Sequence, residues 1–234
     1  NDSWEELTFG LADYVNNISM AYAGAIPEFY HGPTWHVSTD GSDENDGSEE
    51  SPFATIQHGI DVANSGISFS EGDTVIVHPG TYYQTFDGQN KTISIGSLML
   101  ITQDISYISQ TIIDLENLDS GSALIMNCRY LDGLTIQNNN SENGQATLYS
   151  TDHVTYKNLI LQNNEGSPIN RQSSSLQVFD TIIRNNNING NGGALNINGN
   201  SSVLIDNVQL LNNTVTAEGG AIAINSNAFV TINN

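Results

Sequence analysis

The chain has 234 residues, 38% of them hydrophobic, with 5 Lys and Arg against 26 Asp and Glu, a formal net charge of −21. No run approaches the ~18 apolar residues of a membrane-spanning helix, and the charge balance argues against nucleic acid, whose phosphates need clustered cations, and against anionic membranes. One cysteine, Cys128, leaves no internal disulfide and no cysteine-based zinc site.

In chain order, composition changes near residues 34 and 72. Residues 1–72 hold 13 of the acids and no Lys or Arg, whereas residues 73–234 hold all five cations: Lys91, Arg129, Lys157, Arg171 and Arg184. In residues 1–34, Trp4, Leu7, Leu11, Tyr14, Val15 and Ile18 recur at helical spacing. That predicts either a short amphipathic helix or the tail of an upstream domain. Residues 35–72 predict a cap. Trp35 to Ser38 is a strand pattern, and Asp40 to Glu50 is a polar turn run. Ser51 and Pro52 read as N-cap and first helical position of a helix of about three turns. Its apolar face is Phe53, Ile56, Ile60, Val62 and Ala63, and Asn64, Ser65 and Gly66 end it. From Asp73 onward the pattern is short apolar strands between turns, with no helix expected.

Residues 73–234 repeat. Leu134 to Asn139, Leu159 to Asn164, Thr181 to Asn186 and Val208 to Asn213 align without gaps. Their first asparagines, Asn138, Asn163, Asn185 and Asn212, are 25, 22 and 27 residues apart. Such strands cannot bury an apolar face alone, but stacked repeats bury a continuous column. The expectation is an all-β, right-handed parallel β-helix of about 6–7 coils, three short strands each, with an N-terminal capping helix. Alternation assigns Leu134, Leu159, Thr181 and Val208 inward, with Ile136, Leu161, Ile183 and Leu210. Leu131, Tyr156, Val178, Ile205 and Ile232 form a second inward column. Thr135, Ile160, Ile182 and Gln209 face out. The paired asparagines read as structural, because Asn tolerates left-handed backbone and bonds its counterpart one coil away. Arg129 aligns with the inward residues Val154, Leu176, Val203 and Val230, so a bulge or register shift is expected there. The last coil opens at Gly219 and stops at Asn234, which predicts that the natural protein continues.

Gly41 to Ser48, Ser51 to Gln57 and Gly72 to Tyr82 resemble the opening of secreted right-handed parallel β-helix proteins of the pectin-lyase-like superfamily. The Gly-Gly-Ala units at Gly192 and Gly219 and the paired asparagines are similar to repeats of polymorphic outer-membrane adhesins. The resemblance implies a cap over the core, and it covers both polysaccharide lyases and non-catalytic surface proteins. Family lyases use Ca²⁺ held by clustered acids with a Lys or Arg base. Here the candidate catalytic residues are Lys157, Arg171 and Arg184, with solvated surface as the alternative for each. Arg184 shares an exposed column with Gln137, Gln162 and Leu211. Asp40, Asp43 and Asp46 are the candidate Ca²⁺ ligands, with turn formation as the alternative. Glycoside hydrolysis needs two carboxyl groups roughly 5–9.5 Å apart. The columns Asp132, Lys157, Phe179, Asp206 and Gly133, Asn158, Asp180, Asn207 place no two acids on neighbouring coils. The five histidines have no i,i+4 pairing, which argues against a transition-metal site. Tyr130 and Tyr149 are candidate sugar-stacking residues, with ordinary packing as the alternative.

The functional expectation is an extracellular or cell-surface protein that binds polysaccharide or another surface ligand, or serves as an adhesive stalk, non-catalytic in this stretch. The alternative is the N-terminal part of a Ca²⁺-dependent lyase acting on uronate polymers.

Overall fold

A computed structural model describes residues 33–68, 71–116, 118, 125–140, 146–188, 192–217, 219–225 and 227–233. The helix expected within residues 1–34 lies outside the described residues, save that Thr34 opens the first strand.

Strand β1 (Thr34–Val37) precedes the coils. Coil 1 contributes β2 (Thr74–Val77), β3 (Gly80–Tyr82) and β4 (Phe86–Asp87). Coil 2 contributes β5 (Ser94–Ser97), β6 (Thr111–Asp114) and β7 (Ile125–Met126), and coil 3 β8 (Tyr130–Asp132), β9 (Thr135–Gln137) and β10 (Leu148–Ser150). Coil 4 has β11 (Val154–Lys157), β12 (Ile160–Gln162) and the first part of β13 (Ile169–Phe179). Coil 5 has the rest of β13, β14 (Ile182–Arg184), β15 (Asn187–Ile188) and the first part of β16 (Leu195–Asp206). Coil 6 has the rest of β16, β17 (Gln209–Leu211), β18 (Thr214–Val215) and β19 (Ile222–Ile224), and β20 (Phe229–Asn233) begins a seventh.

Each strand pairs in parallel with its counterpart on the next coil, which gives three faces. Face I carries the column Val75, Ile95, Leu131, Tyr156, Val178, Ile205, Ile232. Face II carries Tyr82, Ile113, Ile136, Leu161, Ile183, Leu210. Face III carries Phe86, Ile125, Leu148, Ile169, Leu195, Ile222. Save Ile232, which is exposed on the last coil, these residues line one continuous core. Stacking strands at ~4.8 Å brings each branched side chain onto its neighbour above and below, which is how strands of three residues become stable. The inward and outward assignments from alternation hold along faces I and II. Thr135 faces out yet is buried; its hydroxyl donates to the Ile108 carbonyl (2.7 Å), because an insertion in coil 2 lies over it.

That insertion corrects the expectation of no helix after Asp73: it holds α2 (Met99–Thr102) and α3 (Ser106–Gln110). The cap helix also differs. α1 spans Ile56–Val62, with Thr55 as N-cap, its hydroxyl accepting from the His58 amide. Ser51 and Pro52 therefore lie outside the helix. The chain there instead bridges β1, the Phe53 amide bonding the His36 carbonyl (2.9 Å), and Phe53 is buried on Trp35. A side chain at Gly47 (φ +79°) would strike the Phe53 ring, so this turn needs glycine.

The register is continuous at Arg129: the Thr155 amide bonds its carbonyl (2.8 Å). No bulge is required, because Arg129 precedes β8 at a bend. Its guanidinium runs along the coil to Thr92 Oγ1 (2.7 Å) and Asp152 (3.5 Å). The register shift falls elsewhere, between Gln172 and Ser174, where β13 turns from face III into face I.

The asparagines divide into two roles. Asn138, Asn163, Asn185 and Asn212 have φ of 60°, 56°, 55° and 53° and turn the chain out of face II. The next residues, Asn139, Asn164, Asn186 and Asn213, form a ladder. The amides of Asn139, Asn164 and Asn186 donate to the side-chain oxygens of Asn164, Asn186 and Asn213 at 3.0, 2.9 and 3.2 Å.

Candidate functional site

The outward residues of face I make two adjacent columns. Register places Tyr130, Thr155, Gln177 and Leu204 in one, and Asp132, Lys157, Phe179 and Asp206 in the other. Side chains two apart on a strand share a face, so Tyr130 and Asp132 stand side by side on β8, as Thr155 and Lys157 do on β11. Tyr130 Oη donates to Asp132 Oδ2 (2.9 Å), and Asn158 Nδ2 donates to Asp132 Oδ1 (2.7 Å). Asn158 reaches back because it occupies the left-handed turn after β11 (φ 51°).

Asp132 is only 5% exposed. Coil 2 closes on it: a Cβ at Gly96, its register partner, would lie 2.3 Å from the Asp132 carbonyl oxygen and 2.8 Å from Leu100 Cδ1. Burial pushes the Asp132 carboxyl above its ordinary value. The hydrogen bonds from Asn158 and Tyr130 and the charge of Lys157 oppose that rise, and the charge of Asp180 adds to it. Burial likewise pushes the Tyr130 phenol up, with Asp132 adding to the shift. The strand alternation thus gathers a carboxyl, a phenol and an ammonium on one face, with the carboxyl's proton affinity raised by burial. Asp132 and Asp180 lie two coils apart on this face.

The candidate bases are not gathered. Lys157 is on face I. Arg171 points into the coil from face III and is 1% exposed, which corrects its reading as a solvated residue. Its Nη1 and Nη2 donate to the Ser150 and Asp152 carbonyls, and burial lowers its proton affinity. A guanidinium enclosed this way cannot meet a polymer outside. Arg184 is on the outside of face II, where Nε and Nη2 donate to Gln162 Oε1 (3.0 and 2.8 Å). Gln162 donates to Gln137 (2.8 Å), and Gln137 to Asp114 (2.9 Å). The exposed strip is thus a hydrogen-bonded row across four coils. Beside it a groove of about 230 Å³ is lined by Glu116, Asn138, Asn140, Asn163 and Glu165. Of the stacking candidates, Tyr130 is in the face I site, whereas Tyr149 lies on face III with its hydroxyl on Gln172 Oε1 (3.3 Å).

The acidic turn has its own architecture. Asp43 Oδ1 accepts from the Ala54 and Thr55 amides (2.9 Å each) and Oδ2 from the Thr55 hydroxyl (2.7 Å). Asp46 accepts from the Ser48 amide (3.0 Å), and the Asp40 amide bonds Ser38 Oγ (3.3 Å). Among the described residues no three His, Cys, Asp or Glu side chains converge as metal ligands. Both Asp43 oxygens are engaged within the turn.

Sequence reading sets Asp132 aside because no second acid adjoins it. The signal that identifies it is its alignment with Lys157 one coil on, together with Tyr130 two residues before.

No family profile matches the chain. Over 52 residues it is 40% identical to the uncharacterized protein YwoF of Bacillus subtilis (strain 168), across 22% of this chain and 10% of that protein. A solved rhamnogalacturonan lyase superposes on 86% of this chain and 58% of its own, with a TM-score of 0.51 and 16% identity. A pectin methylesterase mutant in complex with a hexasaccharide covers 88% of this chain and 66% of its own, with a TM-score of 0.39 and 12% identity. The fold is an all-β parallel β-helix. The chain spans about a tenth of YwoF and under two thirds of the lyase, and at these identities the structural likeness extends to the fold alone.

Proposed function

We propose that the chain is a secreted or cell-surface β-helix protein that binds a polysaccharide along the outside of face I, or presents that face as an adhesive stalk, without chemistry in this stretch. The observation that carries the reading is the pair of in-register columns on coils 3–5. Tyr130 and Phe179 offer ring edges two coils apart, while Thr155, Gln177 and Lys157 offer donors and acceptors between them. A sugar unit in an extended glycan advances by about one strand spacing, so successive rings can meet successive coils.

The second reading is the N-terminal part of a Ca²⁺-dependent lyase on uronate polymers. It draws on Lys157 alone, since Arg171 is enclosed and Arg184 is tied to Gln162.

Affinity electrophoresis in gels containing neutral or uronate polysaccharides tests both. The native chain is expected to be retarded by at least one polymer. Tyr130→Ala is expected to weaken that retardation about two- to twelvefold, the equivalent of a lost ring contact of ~0.5–1.5 kcal/mol. No retardation by any polymer overturns the binding reading. Unsaturated uronate product, followed by ultraviolet absorbance, overturns the non-catalytic one.

A further inference from the structure

Resting on the reading of face I as a polysaccharide-binding face, we propose that the α2–α3 insertion closes that face at its N-terminal end. Leu100 is the stop, and the protein takes the end of a glycan chain and not its middle.

The two outward columns can be followed back toward the cap. Register continues the Asp132 column to Gly96 on coil 2 and Ile76 on coil 1. Ser94 and Thr74, each two residues earlier and paired with one another, hold the neighbouring column. From coil 3 onward the first column has a side chain on every coil: Asp132, Lys157, Phe179 and Asp206. On coil 2 it has glycine, and the space is filled from elsewhere. A Cβ at Gly96 would lie 2.8 Å from Leu100 Cδ1 and 3.1 Å from Leu100 Cγ. Leu100, on α2, therefore stands where coil 2 would present a side chain of its own.

Burial changes at the same place. Thr74, Ile76 and Ser94 are 2%, 0% and 9% exposed, although alternation with Val75 and Ile95 points all three out of the coil. Ile76 is buried yet lies outside the continuous core, so it is covered from the outside. On coils 4 and 5, by contrast, Thr155, Lys157 and Phe179 are half-buried and Gln177 is exposed. The accessible track thus begins at coil 3, with Tyr130 and Asp132 beside the stop.

The stop is held on both sides. The Met99 amide donates to Ser97 Oγ (3.2 Å) at the end of β5. Met99 also lies against the next coil, where a Cβ at Gly133 would be 3.1 Å from its Cβ. At the far end of the insertion the Ile108 carbonyl accepts from Thr135 Oγ1 (2.7 Å). A wall fastened to coils 2 and 3 keeps its place when a ligand presses on it. A glycan has a direction, as a stack of parallel strands does, so a chain laid along the columns meets Leu100 with one of its two ends.

The test is the number of protein chains bound per polymer molecule. It is measured by calorimetry on the full chain with polygalacturonate and with galactan, each intact and cut by an endo-acting hydrolase to about a tenth of its length. The expected result is one protein chain per polymer molecule at both lengths. Affinity per gram is expected to be about tenfold higher for the cut polymer, which carries about ten times as many ends. A number that rises in proportion to polymer length overturns the closed track and leaves polysaccharide binding standing. No binding to either polymer, intact or cut, overturns both. A variant with residues 99–110 replaced by a short glycine-serine loop is expected to bind several protein chains on each intact polymer. A number that stays at one in that variant overturns the role of the insertion. If the variant does not fold, the number on the native chain decides.

Discussion

At the scale of single residues, the cations are mostly bound into the framework. Lys91 Nζ donates to the carbonyls of Ile60, Asp61 and Ala63 at 2.7, 3.0 and 3.0 Å. It thereby satisfies the carbonyl end of α1 and complements the helix dipole. Lys91→Met is expected to destabilise the fold by about 1–2 kcal/mol, measured by urea unfolding, with the loss shrinking at high salt. Two acids give opposite pH signatures. Asp132 has a folded pKa raised above 3.8, so its contribution is complete below that value and is lost as pH rises through the folded one. Asp132→Asn is therefore expected to gain stability relative to the native chain as pH rises from about 4 toward neutrality. Burial acts to raise Asp43 as well, but the hydrogen bonds from Thr55 and Ala54 outweigh it and the net shift is downward. Its contribution is present above 3.8 and disappears as pH falls through the folded value. Asp43→Ala is expected to flatten the acid limb of a stability–pH curve. Unchanged curves for both variants would contradict these assignments.

At the scale of elements, the asparagine ladder does what backbone pairing cannot do at a corner. Asn186 Nδ2 bonds the Leu161 carbonyl (3.1 Å) and Asn213 Oδ1 (2.8 Å), while its Oδ1 accepts from Asn164. Asn186→Ala orphans buried groups on two coils and is expected to cost about 2–4 kcal/mol in denaturant unfolding. Asn212→Ala, at an exposed left-handed turn, should cost only about 1 kcal/mol. Such pairing is legible in sequence because the repeat aligns Asn139, Asn164, Asn186 and Asn213 without gaps, and one position per coil then has one environment. The same periodicity exposes the columns Leu134 to Val208 and Ile136 to Leu210. It fails where a residue has no counterpart. The helical insertion at Met99 to Gln110 occurs once, so nothing in the repeat announces it. Arg171 faces inward at a position that is Ile197 and Ile224 on later coils, but the strand change near Gln172 hides that alignment.

At the scale of the molecule, the charge of −21 is not concentrated on face I. The first 72 residues carry 13 acids and no base, and several of those acids shape the turn before α1. Face I has one ammonium, Lys157, between polar and aromatic neighbours. Retention on polysaccharide gels is accordingly expected to change little with added NaCl, whereas a polymer held mainly by its carboxylates would be released. Amide hydrogen exchange is expected to be slow in coils 3–5, whose core columns are covered by a coil on each side. Uniform protection along the chain would contradict a stability built from neighbouring coils.

The backbone hydrogen bonds between coils run along the axis of the coil, not around it. The row from Asp114 through Gln137 and Gln162 to Arg184 runs the same way. A tensile load applied at the two ends therefore meets these bonds in series. The weakest coil yields first, and each later event releases one repeat, which at 22–27 residues means ~7–9 nm of extended chain. A tether built this way lengthens in steps under force, with a sawtooth whose period is set by the distance between successive turn asparagines.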